Sequence, residues 1–541
     1  MSDNISTPLL LQIYTKRVRC DYDLSQQIGI NLNKTVINAQ LEFLIHIGKL
    51  VIFENQEIIA SKVVSMFKDR KLINIMVISK TQSGKTGSMC ATIKYYLEDS
   101  SNLIPIENIY IITGLSSCEW KEQTKERMPE CIQKRVFHRC ELPITFVDEI
   151  KDKKNILIIM DEIQVAAKKG QTIYKTFQNA GILNKSNLYK NDIKIIEYTA
   201  TPDGTIYDLM KWNDASDKIL AVVGDGYISS FDLLQMGRVK QYKELCSYQK
   251  DTSDVDDKEV FKNIQEIKND IDKYTNPLYH IIRTKNGQEQ FLTIQNFKKI
   301  FNIETNNFIT YDGESEIKDI NETLKIKPQK HTFIFIKELL RCAKTLKKDF
   351  IGILYDRYSK NPDDTTIIQG LVGRDTGYDN NGLSICYTNV NSIERYEELW
   401  NSEFNDKTIK WNSKTTNYTN GILSGKNTFN DPHDYDGFSV ENDDNDKIKE
   451  PVIKKFKTQE EAKEYYIREL KEIMKGRGPN KIKPNNDGYY EATIRSKKQI
   501  YSCSEIFCER NHGLSKNNYR FYPCYEVIND ISTLQWWFIH Y

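Results

Sequence analysis

Residues 79–89 read SKTQSGKTGSM and follow directly on the apolar run INIMVIS. A buried strand that leaves through small and hydroxylated residues into a helix opening with Lys85 and Thr86 suits a phosphate. Successive backbone N–H groups and the positive end of the helix hold the anion, and Gly84 lets the main chain approach it without a Cβ. Lys85 would reach the β- and γ-phosphates, and the Thr86 hydroxyl would ligate Mg²⁺. An ordinary strand–turn–helix with a solvated lysine also fits, and the phosphate-loop pattern has glycine where Ser79 stands. A second stretch, NILIIMDEIQVA (155–166), ends an apolar run in Asp161-Glu162. Carboxylates at the C-terminal edge of a parallel strand lie where such sheets bind ligands. Asp161 would hold Mg²⁺, and Glu162 would orient and deprotonate an attacking water. A third, IEYTATPDG (196–204), ends a strand in Thr199-Ala200-Thr201-Pro202, whose hydroxyls can bond to neighbouring site groups.

These residues need a scaffold that brings strand ends together. Short β-branched runs, INIMVIS, IYIIT, ILIIM and IKIIEYT, alternate with longer amphipathic stretches from about residue 50 to 245. That alternation predicts a parallel sheet covered on both faces. A second series, LYHIIRT, NFITYD, HTFIFIK, TIIQG and LSICYT, follows over 276–426, after a charged, helical connector at 246–275. The expected fold is α/β: two tandem RecA-like, doubly wound parallel-sheet domains preceded by an N-terminal extension (1–49). The stretch 427–446 has seven acidic residues and no Lys or Arg, which predicts a solvated linker. Residues 447–541 read as a small α+β accessory domain, with a helix in TQEEAKEYYIRELKEIM and strands in YYEATI and QIYSC.

Taken together, the three stretches resemble helicases and translocases of superfamily 2, whose order is phosphate loop, DE-x-x box, then S/T-A-T. SKTQSGKT is similar to the first of these motifs, with Gln82 where glycine is usual, followed by Ser83. The likeness to helicase-like proteins of large DNA viruses and phages extends to IYIITGLSSCEWKEQTKERMP (109–129) and QGLVGRDTGYD (369–379). It covers about residues 50–390. The resemblance implies further roles. Gln56 stands where a glutamine contacts adenine, though a helix-start surface glutamine fits as well. Gln164 would sense the γ-phosphate, and Thr199 and Thr201 would couple hydrolysis to movement. Thr113, Ser116, Ser117 and Lys337 would touch nucleic acid. From the second domain Gln369 and Arg374 would complete the nucleotide site, Arg374 as the arginine finger, with Arg341 in reserve and Gly377 where a second arginine is usual. The activity implied is Mg²⁺-dependent ATP hydrolysis coupled to movement on, or remodelling of, DNA or RNA. The alternative is a nucleotide-gated subunit or scaffold of a viral nucleic-acid-processing or transcription complex that separates no strands.

The totals restrict the remaining classes. At 541 residues one hydrophobic core is too few. A formal net charge of +1 announces no nucleic-acid partner in bulk, so any basic surface is local, as in 447–500 with net +7, where Lys497 and Lys498 are candidates for phosphate contact. No apolar run approaches the ~18 residues a membrane span needs. Eleven scattered cysteines fit a reducing compartment, and the expectation is a soluble intracellular protein. Cys503, Cys508, His512 and Cys524 could close a zinc site, with buried or inert thiols as the other reading. The aromatic end STLQWWFIHY reads as core rather than as a base-stacking platform.

Overall fold

The computed structural model describes residues 31–99, 104–116, 118–246, 258–285, 287–311, 319–337, 345–426, 428–429, 452–471, 479–494, 496–510, 514, 518–528 and 530–540. Contacts divide the chain into two units, Met1–Asp436 and Gly437–Tyr541.

The first unit holds two lobes. In lobe one the strands are β1 (Asn74–Ile78), β2 (Ile109–Thr113), β3 (Val136–Phe137), β4 (Ile156–Asp161), β5 (Ile193–Thr199) and β6 (Ser216–Leu220), in the sheet order β3-β2-β4-β5-β1-β6. In lobe two they are β7 (Val239–Gln241), β8 (Tyr279–Arg283), β9 (Asn306–Tyr311), β10 (His331–Ile336), β11 (Ile351–Tyr355) and β12 (Ile385–Thr388), in the order β7-β12-β11-β8-β10-β9. Every pairing in both sheets is parallel. The central strands are buried on both faces, which is why they read as unbroken apolar runs instead of alternating ones. Ile75 and Val77 pack under helices Glu54–Met66 and Lys85–Glu98, while Tyr110, Ile112 and Ile158 face the opposite layer with Phe177. The result is two tandem RecA-like, doubly wound domains.

The edge strands β3, β6 and β7 were not in the sequence reading, and two further differences have plain causes. TIIQG is not a strand: Asp364–Ile368 is a helix whose N-cap Asp363 accepts from Thr366 N, and the strand is IGILY at 351–355. The Asp-Asp pair before TII was the cap signal. The charged stretch ahead of lobe two contains a helix, Lys258–Ile271, that buries Val260, Ile264, Ile267 and Ile271 against Ile282, Phe297 and Phe333. Its apolar stripe at spacings of four, three and four belongs to the core of lobe two.

After lobe two the chain returns to lobe one. Trp411 Nε1 donates to Asp203 Oδ1 (2.7 Å), and the hairpin β13 (Thr416–Thr419) and β14 (Ile422–Gly425) packs on helix Asp203–Leu209. Gly204 has no room for a Cβ because Thr415 O occupies it. Thr428 donates its N–H to Asp208 Oδ2 (2.7 Å), and Phe429 enters the core of lobe one edge-on to Phe177 (5.3 Å). The lobes also share an apolar cluster that joins Met76, Ile78 and Ile206 to Leu233, Ile281 and Leu371. Thr428 and Phe429 of the acidic stretch are thus buried, and its other residues lie outside the described ones.

The second unit contains an antiparallel sheet of β15 (Val452–Phe456), β18 (Tyr519–Tyr525) and β19 (Leu534–His540), in the order β15-β19-β18, plus the hairpin β16 (Ala492–Ile494) and β17 (Lys497–Gln499). Thr458 and Glu461 form a capping box at helix Gln459–Tyr465. QIYSC is mostly not strand, because Ser502 caps a helix at Cys503–Glu509 with Glu505 as its reciprocal partner. Trp536, Trp537, Phe538 and Ile539 are core. No helix among the described residues is long and apolar enough to cross a membrane.

Candidate nucleotide and metal site

The loop after β1 forms a nest of backbone N–H groups ahead of helix Lys85–Glu98. Gln82 (φ 56°) and the N-cap Gly84 (φ 92°) both take the left-handed conformation. Gln56 backs this loop. Its amide accepts from Phe53 N (3.0 Å) and donates to Gly84 O (3.1 Å), and a Cβ on Gly84 would collide with it. At 2% exposure Gln56 is neither a surface residue nor turned outward; it holds the loop. Ser83 Oγ closes the turn on Lys80 O (2.6 Å).

The loop faces the ends of β4 and β5. Lys85 Nζ lies 2.8 Å from Glu162 Oε1. Glu162, itself in left-handed backbone (φ 50°), also accepts through Oε2 from Gln164 (2.7 Å), Thr199 (3.1 Å) and Gln369 (2.6 Å). Gln369 reaches Thr201 Oγ1 as well (2.8 Å), so one glutamine of lobe two joins both motifs of lobe one. Burial pulls the Lys85 ammonium down, but the Glu162 and Asp161 carboxylates outweigh it and hold Lys85 above its ordinary value. Burial likewise pushes Glu162 up, and Lys85 with the other donors overcomes it and holds the carboxylate below its usual range. Asp161 is raised to about 6 by burial, against the pull of Lys85. Trp120 Nε1 donates to Asp161 Oδ2 (2.8 Å), while the buried Oδ1 has no hydrogen-bond partner among the described residues.

Lobe two closes the cleft. Arg374, 4% exposed, donates to Gln369 O (3.1 Å), and its charge is near enough to oppose that of Lys85. Thr376 Oγ1 donates to Thr81 O (3.1 Å), and Thr345 Oγ1 donates to Gln82 Oε1 (3.3 Å). The cleft is open to solvent and holds a cavity of about 160 Å³ lined by Lys85, Thr86, Asp161, Glu162, Gln369 and Arg374 among others. A buried carboxylate oxygen with no hydrogen-bond partner among the described residues and the Thr86 hydroxyl suit a hard divalent cation, and the Lys85 and Arg374 charges suit a polyphosphate beside it, so the residues fit Mg²⁺ and a nucleoside triphosphate.

Other expectations fall elsewhere. Thr113 is fully buried at the end of β2, and its hydroxyl donates to Asp161 O (2.7 Å), so it is not on a nucleic-acid surface. Ser116 is exposed and accepts from Arg139 (2.9 Å). Lys337 follows β10 and is partly exposed. Ser117, Arg341 and His512 lie outside the described residues, as does the Cys508 side chain. Cys503 and Cys524 bring their sulfurs to 3.3 Å, and no cluster of three metal-ligating side chains occurs among the described residues. Sequence reasoning missed Trp120, Gln123, Thr124 and Arg127, one face of helix Cys118–Arg127 that lines the cleft. Their spacing of three, one and three was the available signal.

No family model matches the chain. It is 28% identical over 341 residues to an uncharacterized protein of Acanthamoeba polyphaga mimivirus, covering 59% of this chain and 80% of that one. Among solved structures it is similar to the DEAH/RHA helicase HrpB of Escherichia coli (TM-score 0.40, 12% identity, 62% of this chain and 43% of that one). It is also similar to the DEAD-box helicase Mss116 bound to single-stranded RNA (TM-score 0.40, 12% identity, 67% and 78%). The chain therefore spans less than half the length of HrpB.

Proposed function

We propose that this chain is a Mg²⁺-dependent ATP hydrolase of the superfamily 2 helicase type, coupling hydrolysis to movement on or remodelling of DNA or RNA. The observation that carries the reading is the convergence, in one cleft, of Lys85 and Glu162 (2.8 Å) from lobe one with Gln369 and Arg374 from lobe two. Lys85 and the loop N–H groups would hold the phosphates, Thr86 and Asp161 would hold the cation, and Glu162 would orient the attacking water. Bound Mg²⁺ would neutralise charge on the phosphate oxygens. Gln164 and Gln369, both on Glu162 and both in reach of Thr201, would report the phosphate's presence across the lobes. Arg374 would stabilise charge on the transferring group. Ser116, Ser117 and Lys337 remain the proposed nucleic-acid contacts, with protein partners through the second unit. Purified protein is expected to hydrolyse ATP faster with added DNA or RNA, and Lys85→Ala is expected to abolish that turnover. Unchanged turnover in Lys85→Ala would remove the assigned site.

One observation favours a second reading, a nucleotide-gated ATPase subunit or scaffold without strand-separating activity. The return of the chain through Trp411, Thr428 and Phe429 fastens lobe two to lobe one at a place other than the cleft. ATP hydrolysis without displacement of an annealed strand would select it.

A further inference from the structure

We infer that Trp120 is a positioning residue for Asp161, selecting which carboxylate oxygen is presented to the cation. The inference rests on the nucleotide reading of the cleft. Trp120 is 4% exposed and belongs to the helix that follows β2, the strand beside β4. Its Nε1 donates to Asp161 Oδ2 at 2.8 Å, and Oδ1 is left buried with no hydrogen-bond partner among the described residues. The same neighbour fixes the main chain: Thr113 sits opposite Asp161 in the β2–β4 register and donates to its carbonyl (2.7 Å). A carboxylate torsion is broad and roughly two-fold, so an untied Asp161 would present either oxygen. An indole N–H is a donor only, so it can tie one carboxylate oxygen without competing for a cation. Gln123, Thr124 and Arg127 continue the same helix face along the cleft, so the helix is a wall of the site.

Trp120→Phe keeps the ring and removes the N–H. Groups that orient a metal ligand typically contribute 10–100-fold to metal affinity, so the Mn²⁺ concentration that half-saturates the ADP complex is expected to rise about 10-fold or more. Binding of ADP in EDTA and the circular dichroism spectrum are expected to stay as in the wild type. Unchanged Mn²⁺ affinity, or an equal loss of metal-free ADP binding, would overturn the inference. A wild-type measurement stands if the variant does not fold. Mn²⁺ with ADP should quench part of the fluorescence of the six tryptophans that Mg²⁺ with ADP leaves intact, and equal emission with the two metals would overturn it. Wild-type protein that binds no ADP at all would instead remove the nucleotide reading beneath it.

Discussion

Gln82 carries a backbone conformation that glycine adopts freely and other residues pay about 1–2 kcal/mol to hold. In return its amide reaches Thr345 on the other lobe (3.3 Å). Two substitutions separate these effects. Gln82→Ala keeps the strain and loses the contact, while Gln82→Gly loses both. Denaturant unfolding should find Gln82→Gly more stable than Gln82→Ala by about 1 kcal/mol; an equal or reversed order would mean the loop is unstrained. The motif residues of lobe one were legible as a set because the proposed phosphate chemistry would constrain their type and order, and Lys85, Asp161 and Glu162 do line one cleft. Gln56 was ambiguous for the opposite reason. A glutamine at the third position of a helix has the same sequence signature whether it would contact a base or face solvent, and neither reading announced its hydrogen bonds to the neighbouring loop. The role of Trp120 was harder to read: the helix spacing marks a face, but its partner Asp161 lies at the end of a strand 41 residues on.

The central strands of both sheets were legible as apolar runs, apart from IGILY, which was passed over with TIIQG taken in its place; the short or half-exposed edge strands β3, β6 and β7 carry no such run and were not read. Contacts between elements are a different matter. Helix Asp203–Leu209 starts at a buried carboxylate that Trp411 and Ser413 reach from far along the chain, and nothing in TPDGTIYDL announces them. Burial raises Asp203 to about 6, above the ~3.9 of an unfolded aspartate. The folded state therefore binds this proton more tightly than the unfolded chain. Its contribution is favourable at acid pH and is lost as pH rises through about 6. Asp203→Asn has no proton to lose. It should stabilise the protein relative to wild type by roughly 2–3 kcal/mol at pH 7.5, with the difference shrinking towards zero near pH 4. A pH-independent difference in urea midpoints would show that Asp203 is not the buried acid described.

For the molecule as a whole, the two lobes are joined three ways: through the cleft proposed to take the nucleotide, through the apolar cluster around Ile78 and Leu371, and through the segment that reaches Phe429. Phe429→Ala should cost about 3–5 kcal/mol, the usual range for removing a buried phenylalanine, with little change in circular dichroism below the transition. A loss under 1 kcal/mol would mean the segment is not anchored. The domain series was readable from the alternation of strands and helices, but the anchor was not, because NTFNDP has the composition of a solvated stretch. Phe429 is also a matter of timing. Synthesis delivers the first sheet early, yet one of its packing partners is encoded some two hundred residues after its last strand. A nascent first half must wait with an unfilled hollow beside Phe177, so order of translation and order of completion part company in this chain.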